Sequence, residues 1–212
     1  VGGDVGGDVG GSGGGGDGNG GGGGGDVRAD AAAALGRLCE GHVAHQGVAA
    51  AHGAIGALIA LLGHRDSEAS RRATAHAPTS FAATSLSRSQ EAGENEETAA
   101  AAAAALCALC ESHVANQGAV ATGDGLAPLV RLVGEGSPTA HAQATYALRA
   151  LADGHADNME SIGSLLVELL GSEDEAVIPR AARAIAELAS RHSAPMQAMV
   201  AKLGGGEKLA AL

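Results

Sequence analysis

The sequence predicts an all-α solenoid, a stack of short helical repeats, and three features carry that expectation. The first is a stretch at 99–133, AAAAAAALCALCESHVANQGAVATGDGLAPLVRLV. It reads as an apolar helix ending at Leu109, a polar corner from Glu111 to Gln117, and an amphipathic piece closing on Val133. The second is that the stretch recurs. Leu35, Leu38, Glu40, His42, Gln46 and Leu58 match Leu106, Leu109, Glu111, His113, Gln117 and Leu129 without a gap. Leu148, Leu151, His155 and Asn158 form a third copy, and Ile185, Leu188 and His192 a fourth. The corner histidines are spaced 71, 42 and 37 residues apart, and a helical period of about 40 residues is the mark of an α-solenoid. The third feature is composition. Aromatic residues are 1% of the 212 and Trp is absent, so the core must be Ala, Leu, Val and Ile. Ala favours helix and lets helix axes approach closely.

Residues 1–28 are Gly-rich low-complexity chain, with nothing to bury and a large ordering cost, and are expected to be disordered. Gly-x-Gly occurs there without the strand, helix or Lys-Ser that a phosphate loop needs. The repeat domain is expected over 29–212. A helix is predicted over 29–39, with Asp30 near its start, then a corner and short helix to a stop at Gly53, and another helix over 54–62 ended by Gly63. Residues 67–77 begin like a third helix and meet Pro78. The Ser-rich, acidic chain that follows reads as an inserted loop, placing an insertion at about 64–97, with helix resuming near Glu96. Helical pieces are then predicted over 117–123, 125–133, 139–152, 159–163 and 165–170. Ser137-Pro138 suits a helix entry, and 165–170 aligns with 129–133 after a deletion of about five residues. The last long helix spans 177–191 with Pro179 in its first turn. A further repeat begins at 196–203 and is interrupted by Gly204-Gly205-Gly206.

Each complete unit thus has a short, a medium and a long helix. Asn116-Gln117, then Gly125-Leu126-Ala127-Pro128-Leu129-Val130-Arg131-Leu132-Val133, then 144–152 ending Ala147-Leu148-Arg149-Ala150-Leu151, resemble the armadillo repeat. Weaker copies stand at His45-Gln46, 53–62 and 180–189. The resemblance implies a right-handed superhelix whose third helices line a concave groove for extended peptides. In importin-like and catenin-like members that groove uses a Trp and an Asn of the third helix. Carried over, the Trp position falls on Ala33, Ala104, Tyr146 and Arg183, and the Asn position on Arg37, Ala108, Ala150 and Glu187. No copy keeps both, and Ala offers none of the hydrogen bonds of Asn. The implied groove candidates are Arg37, Ala108, Gln143, Tyr146, Arg149, Ala150, Arg183 and Glu187.

The net charge of −11 argues against nucleic acid, which needs clustered Lys and Arg. No run of about 18 apolar residues is present, so membrane insertion is not expected. The chain begins with Val and shows no signal peptide, which suggests a fragment. Three cysteines favour a reducing, intracellular compartment, cytoplasmic or nuclear. Cys107-Ala108-Leu109-Cys110 is a C-x-x-C within a helix and lacks a second ligand pair, so Cys39 and Cys110 read as small core residues and neither metal nor cofactor is expected. The corner histidines read as groups that hydrogen-bond helix ends, with a pH-sensitive edge as the sharper alternative. No H-E-x-x-H or G-x-S-x-G motif supports catalysis.

These readings converge on a non-enzymatic scaffold that binds a protein or peptide partner along the third-helix groove. The rivals are a targeting or assembly module of a larger protein, such as an armadillo-containing ubiquitin ligase, and a purely structural piece of a longer solenoid. Oligomeric state and partner identity are open at this level.

Overall fold

The computed structural model describes residues 26–63, 81–191, 193–202 and 204–210. The Gly-rich residues 1–25, the helix start expected over 67–77, Pro78 and His192 lie outside them. The elements are α1 (Val27–Cys39), α2 (Val43–Ala51), α3 (Ala54–Gly63), α4 (Phe81–Cys110), α5 (Val114–Thr122), α6 (Leu126–Glu135), α7 (Pro138–Ala152), α8 (Ala156–Leu169), α9 (Val177–Arg191), α10 (Ser193–Lys202) and α11 (Gly205–Ala210). Among the described residues there is no strand, and no single helix is long and apolar enough to cross a membrane. The solenoid expectation holds. α1, α4, α7 and α9 are the third helices of successive repeats. α2, α5, α8 and α10 each start at the residue after the corner histidine position.

Three boundaries differ from expectation. α1 starts at Val27, capped by Asp26 rather than Asp30, so residues 26–28 belong to the repeat domain. The Asp26 carboxylate accepts from the Arg28 N–H at 3.0 Å, and the Arg28 guanidinium bonds it as well. Those bonds, with one from the Thr98 hydroxyl, hold the carboxyl well below the usual aspartate range. α4 begins at Phe81 and not near Glu96, so residues 81–95, expected as inserted loop, are helix. Polarity misled there. A Ser- and Glu-rich segment with no proline inside it solvates well yet still favours helix through its Ala, Glu and Gln. Finally, the pieces expected at 159–163 and 165–170 are one continuous helix, α8. The five-residue deletion removes the corner that separates α5 from α6, and the helix runs straight through.

The core is a stripe repeated on three of the third helices. Ala102, Ala105 and Leu109 of α4, Ala144, Ala147 and Leu151 of α7, and Ala181, Ala184 and Leu188 of α9 are all buried. Residues at i, i+3 and i+7 share one helix face, and small ones let the next helix come close. Gly36 of α1 shows how close: a Cβ there would stand 3.2 Å from the Cα of Ala105. That neighbour is backbone and cannot swing aside, so a Cβ at Gly36 would force α1 and α4 slightly apart.

Corners are tied by amide side chains. Gln46 Nε2 donates to the carbonyls of Cys39 and, across to the next repeat, Ala108 at 2.8 Å. Gln117 repeats this with Cys110 and Ala150, at 3.1 and 2.9 Å. Asn116 Nδ2 donates to Leu109 at 2.7 Å and back to the Gln46 carbonyl at 3.3 Å. Asn158 does the same to Leu151 and the Gln117 carbonyl. The accepting carbonyls lie mostly in the last turns of third helices, which lack intrahelical partners. His113 and His155 cap the first helices, each Nδ1 accepting from the backbone N–H three residues on, at 3.3 Å. The helix-end role read for the corner histidines is therefore met at those two; His42 makes no such bond.

The residue ahead of each histidine turns the chain with positive φ: 69° at Gly41, 57° at Ser112 and 74° at Gly154. Two copies place glycine there and one places serine. An L-residue in this region costs about 1 kcal/mol, partly offset because glycine has more freedom when unfolded. Ser112→Gly is expected to stabilise by about 0.5 kcal/mol, raising Tm by about 1–2 °C in thermal melts. Gln117→Met, which installs the residue that Met159 holds at this register, removes both donated bonds. It is expected to cost about 1–2 kcal/mol and lower Tm by about 2–6 °C. An unchanged melt would show that the ladder is ornamental.

Candidate protein-binding groove

The third helices are spaced so that two clefts open between them. The first, of about 460 Å³, lies over α1, α4 and α7 and is bordered by Arg37, Ala108, Gln143, Tyr146 and Arg149, with Glu40, Cys107 and Glu111. The second, of about 440 Å³, lies between α7 and α9 and is bordered by Tyr146, Arg183 and Glu187, with Pro138, His141, Pro179 and Arg180. Tyr146 belongs to both. Seven of the eight expected groove residues thus border a cleft, and the eighth, Ala150, borders neither. Its carbonyl is engaged within the stack, where it takes the Gln117 amide.

The side chains are arranged in pairs. The Arg149 guanidinium carbon sits 5.1 Å from the centre of the Tyr146 ring, one helical turn away, a cation–π contact. Tyr146 remains 43% exposed. On α9, Arg183 Nε donates to Glu187 Oε1 at 3.0 Å across one turn. Both are exposed, and such a pair contributes little to stability, about 0.3–0.5 kcal/mol. It is easily exchanged for a ligand's charges.

Two residues of the second cleft were not singled out from sequence. His141 is buried, and its Nδ1–H donates to the Val133 carbonyl at 2.8 Å. Its Nε2 is buried and without a partner. Arg180 donates through Nη1 to the carbonyls of Gly134, at 3.1 Å, and Gly136. These bonds tie the start of α9 to the end of α6 and set the far wall of the cleft. Neither residue type recurs at its register on the other third helices, so periodicity gave no signal for them.

Cys39, Cys107 and Cys110 are free thiols, with Cys39 and Cys110 buried as small core residues. Burial pushes the Cys110 thiol up to about 12. Burial, then the Glu111 carboxylate, also raises Cys107. Among the described residues no group of His, Cys, Asp and Glu is placed to hold a metal ion.

No protein-family model and no curated protein matches the chain. Solved structures do. One engineered protein is similar with a TM-score of 0.55 at 22% identity, over 86% of this chain and 65% of its own. A second has a TM-score of 0.53 at 22% identity, over 84% and 37%. A designed armadillo repeat protein in complex with the peptide (KR)4 has a TM-score of 0.50 at 21% identity, over 80% and 62%. The chain thus spans between about a third and two thirds of the length of these proteins. At such identities the likeness bears on fold: the chain has an armadillo-like helical repeat fold.

The cysteines report on the first cleft. In the folded protein, alkylation is expected to modify Cys107 first, at a rate that climbs as pH passes the ordinary thiol range near 8.5–9. Cys39 and Cys110 should react only once denaturant opens the stack. Peptide mass mapping after timed alkylation reads this directly, and equal early labelling of all three would contradict the packing.

Proposed function

We propose that the chain is a protein-binding scaffold whose partner is an extended polypeptide laid along the third-helix face over α4, α7 and α9. The observation that carries this reading is the meeting of two clefts at Tyr146, an exposed aromatic ring on the third-helix face. The armadillo-like fold supports it, as does the peptide complex of the designed armadillo protein.

The mode of binding follows from what stands at each position. Arg37, Ala108 and Glu187 occupy the register where the armadillo resemblance would put peptide-binding asparagines. A regular ladder of side-chain amides to the partner's backbone is therefore absent. Contacts come instead from Tyr146 and from the arginine and glutamate side chains along the rim. The surface is built on packed helices, so little ordering cost is added when a partner docks. Free buried thiols support an intracellular setting, where they stay reduced.

The test is binding of the fluorescently labelled chain to an array of short extended peptides of varied sequence. It is run beside a Tyr146→Ala/Arg183→Ala/Glu187→Ala variant whose helical circular dichroism is first shown intact. The peptides retained by the unmodified chain are expected to lose affinity about tenfold or more, at least ~1.4 kcal/mol, for the variant. Equal retention by both proteins would remove the third-helix face from consideration.

A further inference from the structure

We infer that the outer face of α1 is an interface between copies of this chain, joined head to tail. The argument starts from the stripe that α4, α7 and α9 bury. In the same register, α1 carries Ala31, Ala34 and Leu38, and all three are exposed. Leu38 is 64% exposed, whereas its counterparts Leu109, Leu151 and Leu188 are each 0%. The chemistry is identical; only the cover differs. Solenoid ends ordinarily carry a polar outer face, and this one is apolar.

What covers such a stripe is known from the molecule itself. On α4 it is α1, which lays down Ala32, Gly36 and Cys39, with Gly36 against Ala105. At the opposite end of the stack, α9 holds Ala182, Ala186 and Ala189 in the register of those three residues. They are small too, though Ala186 adds a Cβ where Gly36 has none, so α1 of the next copy would sit a little farther off than α1 sits from α4. Setting α1 of one copy beside α9–α11 of another continues the interface already repeated between α1 and α4 and between α4 and α7. Because the two surfaces differ, the contact is heterologous, and it extends past a dimer, to a ring where the rotation closes and to a filament where it does not.

Sedimentation velocity of the full 212-residue chain over a wide concentration range tests this. The weight-average mass is expected to climb with concentration and to pass that of a dimer. Leu38→Lys and Ala34→Glu, each with unchanged circular dichroism, should both remain monomeric. Ala186→Lys, at the other end, should also remain monomeric. An equal mixture of Leu38→Lys and Ala186→Lys retains one good end on each partner, and is expected to restore association that stops at the dimer. A monomeric unmodified chain at every concentration would overturn the proposal. So would association indifferent to Leu38→Lys, or a mixture that stays monomeric.

Discussion

The whole stack depends on how the last carbonyls of each third helix find donors. A helix end buried beneath the next repeat cannot use water, so side chains must supply the hydrogen bonds. Gln46, Asn116, Gln117 and Asn158 do so, and each reaches two carbonyls at once, one of its own corner and one of a neighbouring repeat. A polar bond that must be satisfied is directional, whereas alanine-on-alanine packing is not. The amides therefore set the register in which the apolar stripes meet. At the third corner Met159 replaces the glutamine, and α9 joins the stack through Arg180 and the carbonyls of Gly134 and Gly136 instead. The attachment moves from the corner to the far end of the helix, and the cleft between α7 and α9 opens above it.

With a core of alanine and leucine, side chains that can recognise anything are confined to the rim. The groove holds few such groups, and most are already engaged with one another: Arg149 with Tyr146, Arg183 with Glu187, His141 with a backbone carbonyl. The exposed pairs exchange partners at small cost, because water already screens them. His141 Nε2 differs, being buried and without a partner within the molecule.

The repeat phase was legible because leucine, histidine and amide positions recur together, and agreement among independent positions is hard to produce by chance. The groove candidates came from that phase together with the armadillo resemblance, and Ala150 stands apart from the other seven because a carbonyl, not a side chain, is the engaged group there. The phase gave no guidance wherever the chain departs from its own period. The helix over 81–95 carries no apolar stripe to announce it, and α8 looks like two helices because its neighbours are two. His141 and Arg180 serve single contacts made once in the stack, so no repetition marks them. The amides were visible as a motif, but that each one bridges two repeats depends on distances that only the packed helices define.

Tyr146 has a consequence of a spectroscopic kind. It is the only tyrosine among the 212 residues, and the chain has no tryptophan. Excited at the red edge of tyrosine absorption, where Phe81 does not absorb, the intrinsic emission therefore arises from one ring, which stands at the junction of both clefts beneath a guanidinium. In the folded protein a change in that signal reports on the surroundings of this ring, so the protein carries its own optical label at the place where a partner is proposed to lie.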